Sequence, residues 1–264
     1  MSEAELAEKF IELVKVVKKL RSPEGCQWDR AQTHQSLIPY MTEELYEVIE
    51  AIEENNDEML KEELGDLLLH IIFQADLSEE ERKFTLADSI DLIREKLIRR
   101  HPHVFAGLKV NSVSEIKKNW EKIKLKEGRG SLLDGIPMNL PALLLAKRVQ
   151  QRASEVRFDW DKIDDVISKV REELNELEEA IKKKDHKMIK EELGDLLFSI
   201  VNLSRFLKQN PEEALRLTIK KFVSRFKIIE KKLREKGKKL EEATLSEMDK
   251  IWNELKEKEK DKIN

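Results

Sequence analysis

The stretch "KEELGDLL" fills residues 61–68 and recurs, letter for letter, at residues 190–197. Each copy sets a Glu and an Asp three residues apart, Glu63 with Asp66 and Glu192 with Asp195. Each also carries a glycine, Gly65 or Gly194, inside a run of otherwise strong helix formers. A shift of 129 positions, the distance from Lys61 to Lys190, aligns more than the octamer. "EELYEVIEAIEENN" from Glu43 falls on "EELNELEEAIKKKD" from Glu172. Glu44, Glu47, Glu63 and Asp66 land on Glu173, Glu176, Glu192 and Asp195, with the same spacing of 3, 16 and 3 in both sets. Further along the halves drift by a few residues, yet "KLIRR" from Lys96 resembles "KFVSR" from Lys221, and "WEKIK" from Trp120 resembles "WNELK" from Trp252. Such long-range self-similarity predicts two copies of one helical module.

The rest of the chain agrees with an all-α reading. Among 264 residues there are 8 Gly and 6 Pro, and 39% are charged, a composition suited to solvated helix faces. Apolar periodicity predicts helices over about residues 2–20, 37–54, 58–77, 86–100 and 113–126, then 142–154, 161–183, 187–209, 211–236 and 244–260. "EGRGSLLDGIPMNLP", residues 127–141, concentrates Gly and Pro and marks the best boundary. The expected organisation is an N-terminal module over 1–127, a linker over 128–141 and a C-terminal module over 142–264. A net charge of −4, with basic residues dispersed among acids, gives no indication of a nucleic-acid partner. Cys26 is the sole cysteine, so no intrachain disulfide is possible. The acidic N-terminus lacks the form of a signal peptide, and no apolar run reaches membrane-spanning length. The expectation is a soluble, cytoplasmic protein.

The acids carry the chemistry. At about 100° per residue, Glu44 and Glu47 lie about 60° apart at the border of the apolar stripe of their helix. Glu63 and Asp66 border theirs in the same way. Packed as an antiparallel hairpin, the two helices would let four carboxylates converge along one edge. Ionised carboxylates crowd together in a partly buried place only with a counter-charge. All-oxygen donors favour Mg²⁺, with Mn²⁺ a possible substitute, over zinc, and Mg²⁺ commonly binds phosphates. The pattern therefore points to a site for Mg²⁺ and a phosphorylated ligand. The bland alternative is a solvated acidic face, common in a chain this charged.

Other features are less decided by spacing. Gly65 and Gly194 point away from the acids, and close approach of a neighbouring helix is favoured over space for a ligand. Lys96 with Arg100, and Lys221 with Arg225, share helix faces and suit either a triphosphate or surface ion pairs. Trp120 and Trp252 suit either a base or the core. His70 falls near the acids on its helix, but Ser199 stands at its counterpart, which weighs against a ligand. There is no Gly-rich phosphate loop.

With these residues on the page, the chain resembles the MazG family of the all-α NTP pyrophosphatases. The resemblance rests on the doubled "EExxE…EELGD" pattern, on "CQWDRAQTH", which is similar to a "CPWDxxQTH" signature with Gln27 where Pro is usual, and on "GSLLDGIPMNLPALLLAKRVQQRASEVRFDW". It spans nearly the whole chain. It implies Mg²⁺-dependent hydrolysis of nucleoside triphosphates to monophosphate and pyrophosphate, and points to a homodimer; each module's helix pair is about half of a four-helix bundle, so pairing of modules, within or between chains, is expected to complete four-helix-bundle cores. Metal-ligand roles carry over to Glu173, Glu176, Glu192 and Asp195, and by the same pattern to Glu44, Glu47, Glu63 and Asp66. Nucleotide contacts carry over to Lys169, Glu172, Lys190, Glu191, Lys221, Arg225, Trp252 and Lys256. The matching pattern in the first half adds Lys96, Arg100, Trp120 and Lys124. The competing expectations are hydrolysis of free pyrophosphate, a non-catalytic Mg²⁺-nucleotide module, and a purely structural helical repeat.

Overall fold

The structure, a computed structural model, describes residues 1–110, 112, 115–116, 119–120, 123 and 130–260, the side chains of 258–260 excepted. Every regular element among these residues is helical. The chain divides into two compact units, Met1–Ile123 and Lys124–Asn264. No helix among the described residues is long and apolar enough to cross a membrane.

The first unit opens with α1, Glu3–Arg21, started by a capping box in which the Ser2 hydroxyl accepts from the Glu5 amide and the Glu5 carboxylate accepts from the Ser2 amide. A short α2, Gln27–Arg30, lies in the segment read from sequence as irregular. The helix expected from about residue 37 is α3, Ile38–Glu54, and Pro39 sits in its first turn, where the missing amide hydrogen costs nothing. Asn55, at φ 53°, closes α3 in the left-handed region. The Asn56 side chain then accepts from the Met59 amide to start α4, Asp57–Glu80. One residue thus ends the first helix and the next begins the second, so α3 and α4 fold back on each other as a hairpin. The helix expected over 58–77 runs three residues longer, because Leu77 and Ser78 are buried against the rest of the unit. α1 packs on α4 through Val17, Ile72, Phe73 and Leu77, and Leu37, at the start of α3, joins the same cluster. α5, Leu86–Arg100, begins at a Thr85–Asp88 capping box, and α6, Pro102–Phe105, follows. Of the helix expected over 113–126, the described residues Glu115, Ile116, Asn119, Trp120 and Ile123 are helical.

The second unit repeats the hairpin. α7 is Ala142–Glu155, α8 Ile163–Lys183 and α9 His186–Phe206. Lys184, at φ 55°, ends α8 as Asn55 ends α3, and Asp185 caps α9 by accepting from the amides of Lys187 and Met188. α8 and α9 pack along their length, and α7 lies on α9. α10, Pro211–Glu235, turns at Gly237 (φ 68°) into a 3₁₀ turn, Leu240–Glu242, and α11, Leu245–Lys260. α10 and α11 meet over Ile229, Leu233 and Ile251.

Two apolar edges stay uncovered within these units. Leu45, Ile52, Leu64 and Ile71 are exposed on the first hairpin, and Leu174, Leu193, Leu197 and Ile200 on the second. The glycines also differ from the expectation of close helix approach. A Cβ built on Gly65 or Gly194 would meet nothing within 4 Å, so neither makes room for a neighbouring helix of its own unit.

Candidate active site

In the first hairpin, α3 supplies Glu44 and Glu47 and α4 supplies Glu63 and Asp66. Carboxylate oxygens of Glu44, Glu63 and Asp66 all lie within 4.8 Å of one another. Glu47 stands beside them, sharing a hydrogen bond with Glu44 and adding its charge to Glu63. The cost of this crowding falls on Glu44. Burial, the charge of Asp66, the hydrogen bond with Glu47 and the charges of Glu47 and Glu63 push its carboxyl up to about 7. Burial and the charges of Glu47, Glu62 and Asp66 likewise raise Glu63. His70, set aside on sequence because its counterpart is Ser199, is buried here with Nε2 3.9 Å from Glu44 Oε1.

In the second hairpin the close triplet is a different three of the four: Glu173, Glu176 and Glu192, again within 4.8 Å. Glu173 is 6% exposed, and its charge is met by Lys169, whose Nζ lies 2.8 Å from Glu173 Oε1 and 2.6 Å from Glu172 Oε1. Those two hydrogen bonds hold the Lys169 ammonium above its ordinary range. Burial and the charges of Glu173 and Glu192 raise Glu176. Asp195 stands outside the triplet but shares with Glu173 and Lys169 the wall of a cavity of about 780 Å³. Beyond those charged residues the cavity is mainly apolar and aromatic, with Val166, Phe158, Trp160 and Phe198 in its lining.

The remaining expected residues scatter. Arg225 sits with its guanidinium 5.0 Å from the Trp252 ring centroid, and Phe222 stands 5.3 Å from that ring. In the first unit Arg100 lies 5.9 Å from the ring centroid of Trp120, the same Arg–Trp pairing. Neither Lys221, Arg225, Trp252 nor Lys256 lines the cavity beside Glu173. Lys190 and Glu191 are exposed on α9, one turn before Asp195, and Lys96 is half-buried on α5. Lys124 lies outside the described residues. Gln150, Phe158, Asn202 and Arg205 also line the cavity; their residue types and spacing carry no chemical signature, and the resembling segment that ends "VRFDW" contains Gln150 and Phe158 but neither Asn202 nor Arg205.

Fold and site together define a tandem all-α protein with one carboxylate-bearing helical hairpin per module. A family model described as the MazG nucleotide pyrophosphohydrolase domain matches residues 32–105 and again 162–229, each span containing one of the two hairpins. The chain belongs to that family and carries two copies of its domain. It is 51% identical over 250 residues to the nucleoside triphosphate pyrophosphohydrolase/pyrophosphatase MazG of Thermotoga maritima, covering 94% of this chain and 95% of that one. It is 40% identical over 256 residues to the nucleoside triphosphate pyrophosphohydrolase of Escherichia coli, covering 94% and 97%. A solved structure of a mazG-related protein from Thermotoga maritima matches 45% of this chain and 98% of its own, with 28% identity and a TM-score of 0.38.

Proposed function

We propose that the chain is a divalent-cation-dependent nucleoside triphosphate pyrophosphohydrolase that cleaves between the α and β phosphates, releasing a nucleoside monophosphate and pyrophosphate. The observation that carries the reading is the Glu173–Glu176–Glu192 cluster, whose residue Glu173 also forms the wall of an apolar cavity. The relatives named as triphosphate pyrophosphohydrolases across most of the chain support it.

The donor set fits a hard cation. Each triplet is made of carboxylates alone, gathered within 4.8 Å, and in each a carboxyl is forced above its ordinary range by burial and by the charges of its neighbours. We assign Glu173, Glu176, Glu192 and Asp195 as the ligands in the C-terminal module, and Glu44, Glu47, Glu63 and Asp66 in the N-terminal one. A Mg²⁺ ion held there, or Mn²⁺ in its place, would supply counter-charge and Lewis acidity at the phosphates. A carboxylate of the cluster accepts the proton of the attacking water. The water oxygen bonds to the α-phosphorus as the bond from that phosphorus to the bridging oxygen breaks. Lys169, Lys190, Lys221, Arg225 and Lys256 meet the charge of the phosphates, with Glu172 orienting Lys169 and Trp252 bracing Arg225. Glu191 flanks the nucleotide, and Lys96, Arg100, Trp120 and Lys124 are the corresponding set in the first module.

The uncovered apolar edges of the hairpins suit a homodimer, in which a second helix pair completes each four-helix core. We place the protein in the cytoplasm, acting on free nucleotides with broad base tolerance in upkeep of the nucleotide pool. The products decide the reading: ³¹P NMR of an NTP digest should show monophosphate and pyrophosphate, and diphosphate with orthophosphate would refute it. The word pyrophosphatase in the name of the Thermotoga maritima relative favours a second activity on free pyrophosphate, read as orthophosphate release from pyrophosphate alone.

A further inference from the structure

The cavity beside Glu173 is walled mainly by apolar and aromatic side chains, yet it contains one buried polar group that is only half used. Gln150, on α7, is 8% exposed and lines the cavity. Its Nε2 donates to the main-chain carbonyl oxygen of Phe198 on α9 at 2.8 Å. That bond fixes the amide: turned over, its oxygen would face another oxygen. The acceptor, Oε1, is therefore the end left over, and it is buried without a hydrogen-bond partner. An acceptor in such a place carries a desolvation cost that a ligand N–H or O–H would remove.

Several neighbouring polar groups are already committed. Asn202 Oδ1 accepts from Arg205 Nε at 3.0 Å, Arg205 Nη1 donates to Asp159 at 2.9 Å, and the Ser199 hydroxyl donates to the Leu196 carbonyl at 2.8 Å. Gln150 Oε1 is thus the buried acceptor still unpartnered in a cavity that runs alongside the carboxylates Glu173 and Asp195. A ligand whose phosphates lie at the carboxylates and whose flat ring enters the aromatic space would bring the edge of that ring toward α7 and α9. Adenine, guanine, cytosine and uracil each carry an N–H on that edge, so a single acceptor reads the presence of a base without choosing sharply among the four.

We propose that Gln150 is the base-reading residue of the C-terminal module, its Oε1 accepting a hydrogen bond from an edge N–H of a nucleobase held in this cavity. The inference rests on the triphosphate reading above and adds where the base lies and what touches it. It also assigns the base to the cavity rather than to the Trp252 ring, which Arg225 and Phe222 already flank.

The test compares nucleotides that differ only in that N–H, using the full chain with Glu44→Gln and Glu47→Gln so that any first-module contribution is removed. ATP is set against purine riboside triphosphate, and CTP against the 2-pyrimidinone analogue. The readouts are kcat/KM and calorimetric affinity for the α,β-methylene forms. The unsubstituted Gln150 should favour the N–H-bearing nucleotide on the order of ten- to a hundredfold, mainly in KM. Gln150→Met should bring the two members of each pair to within about threefold by weakening the N–H-bearing one. Equal handling of each pair by Gln150, or a uniform loss for all nucleotides in Gln150→Met, would overturn the proposal. The first comparison needs no Gln150 variant, so a poorly folding substitution does not block the test. Failure of every triphosphate to yield monophosphate would instead strike the underlying enzyme reading.

Discussion

Lys169 Nζ sits 2.8 Å from Glu173 Oε1, one helical turn away on α8, and it supplies a positive charge to the second carboxylate cluster. In the first module Tyr40 stands at the repeat position of Lys169, and a basic side chain beside Glu44 is His70, its Nε2 3.9 Å from Glu44 Oε1 and its imidazole pushed toward the neutral form by burial. The two clusters, alike in sequence, are electrostatically different.

Removal of that charge should make the second cluster more dependent on a metal. In Lys169→Met the carboxylates lose their internal counter-ion, so Mg²⁺ addition should raise the melting temperature by about 2–4 °C more than it does with Lys169 present, the shift worth about 1 kcal/mol in a chain of this size. Thermal unfolding in EDTA and in Mg²⁺ measures it. An identical metal-induced shift in both proteins would show that Lys169 and the cation do not share Glu173.

The first cluster should bind metal in a strongly pH-dependent way. The Glu44 carboxyl, at about 7, lies above its ordinary 4.5, so between these values the folded protein holds a proton that the unfolded chain has released. The metal-free fold is therefore favoured at the low end of this window and loses that contribution as pH rises through about 7. A cation must displace the proton, so apparent affinity should climb roughly tenfold per pH unit below 7 and level off above it. Mn²⁺ titration of a Glu173→Gln, Glu176→Gln protein measures this, and Glu44→Gln should flatten the profile. A flat profile with Glu44 intact would contradict the raised carboxyl.

Neutralising the clusters in turn should assign turnover to modules. Glu173→Gln with Glu176→Gln should lower kcat by at least about a hundredfold if the second module dominates, because charge stabilisation at the phosphates is lost. Residual monophosphate release that vanishes on adding Glu44→Gln and Glu47→Gln would mark the first module as a second catalyst. Undiminished release after all four substitutions would remove both clusters from the chemistry.

Arg21 offers a stability test away from the clusters. It is 7% exposed, its Nε lies 2.9 Å from Asp76 Oδ2, and it also donates to the Asp29 carbonyl at 2.7 Å. Arg21→Met leaves Asp76 buried and unpaired and should cost about 3–5 kcal/mol in urea unfolding. Arg21→Met with Asp76→Leu should recover most of the loss. If the double variant were no better than the single one, the cost would lie in packing over Phe73, whose ring Arg21 covers at 5.2 Å, and not in the lone charge.

Gly65→Ala is predicted to stabilise the first hairpin by about 0.5–1 kcal/mol, since the added methyl meets open space and a helix-interior glycine is unfavourable. Denaturant unfolding checks this. A loss of stability would mean that another molecule packs at that point.

The repeated octamer and its upstream partner "EELYE" or "EELNE" determined by themselves that the chain is helical, that it carries two modules, and that four acids per module border an apolar stripe. Those features depend on period and spacing, which are local properties of a chain. Helix ends were legible for the same reason, at Asn55–Asn56 and at Lys184–Asp185, where one residue turns left-handed and the next caps. Only the tertiary structure decided which three acids of each four stand closest, Glu44–Glu63–Asp66 in one hairpin and Glu173–Glu176–Glu192 in the other. Identical spacing cannot distinguish them, because the side chains respond to neighbours such as Lys169 and His70 that the repeat does not share. The cavity was equally out of reach of the sequence. Gln150, Phe158, Asp195 and Asn202 come from three separate stretches, and whether a buried amide keeps a free acceptor depends on which carbonyl its other end finds across the helix interface.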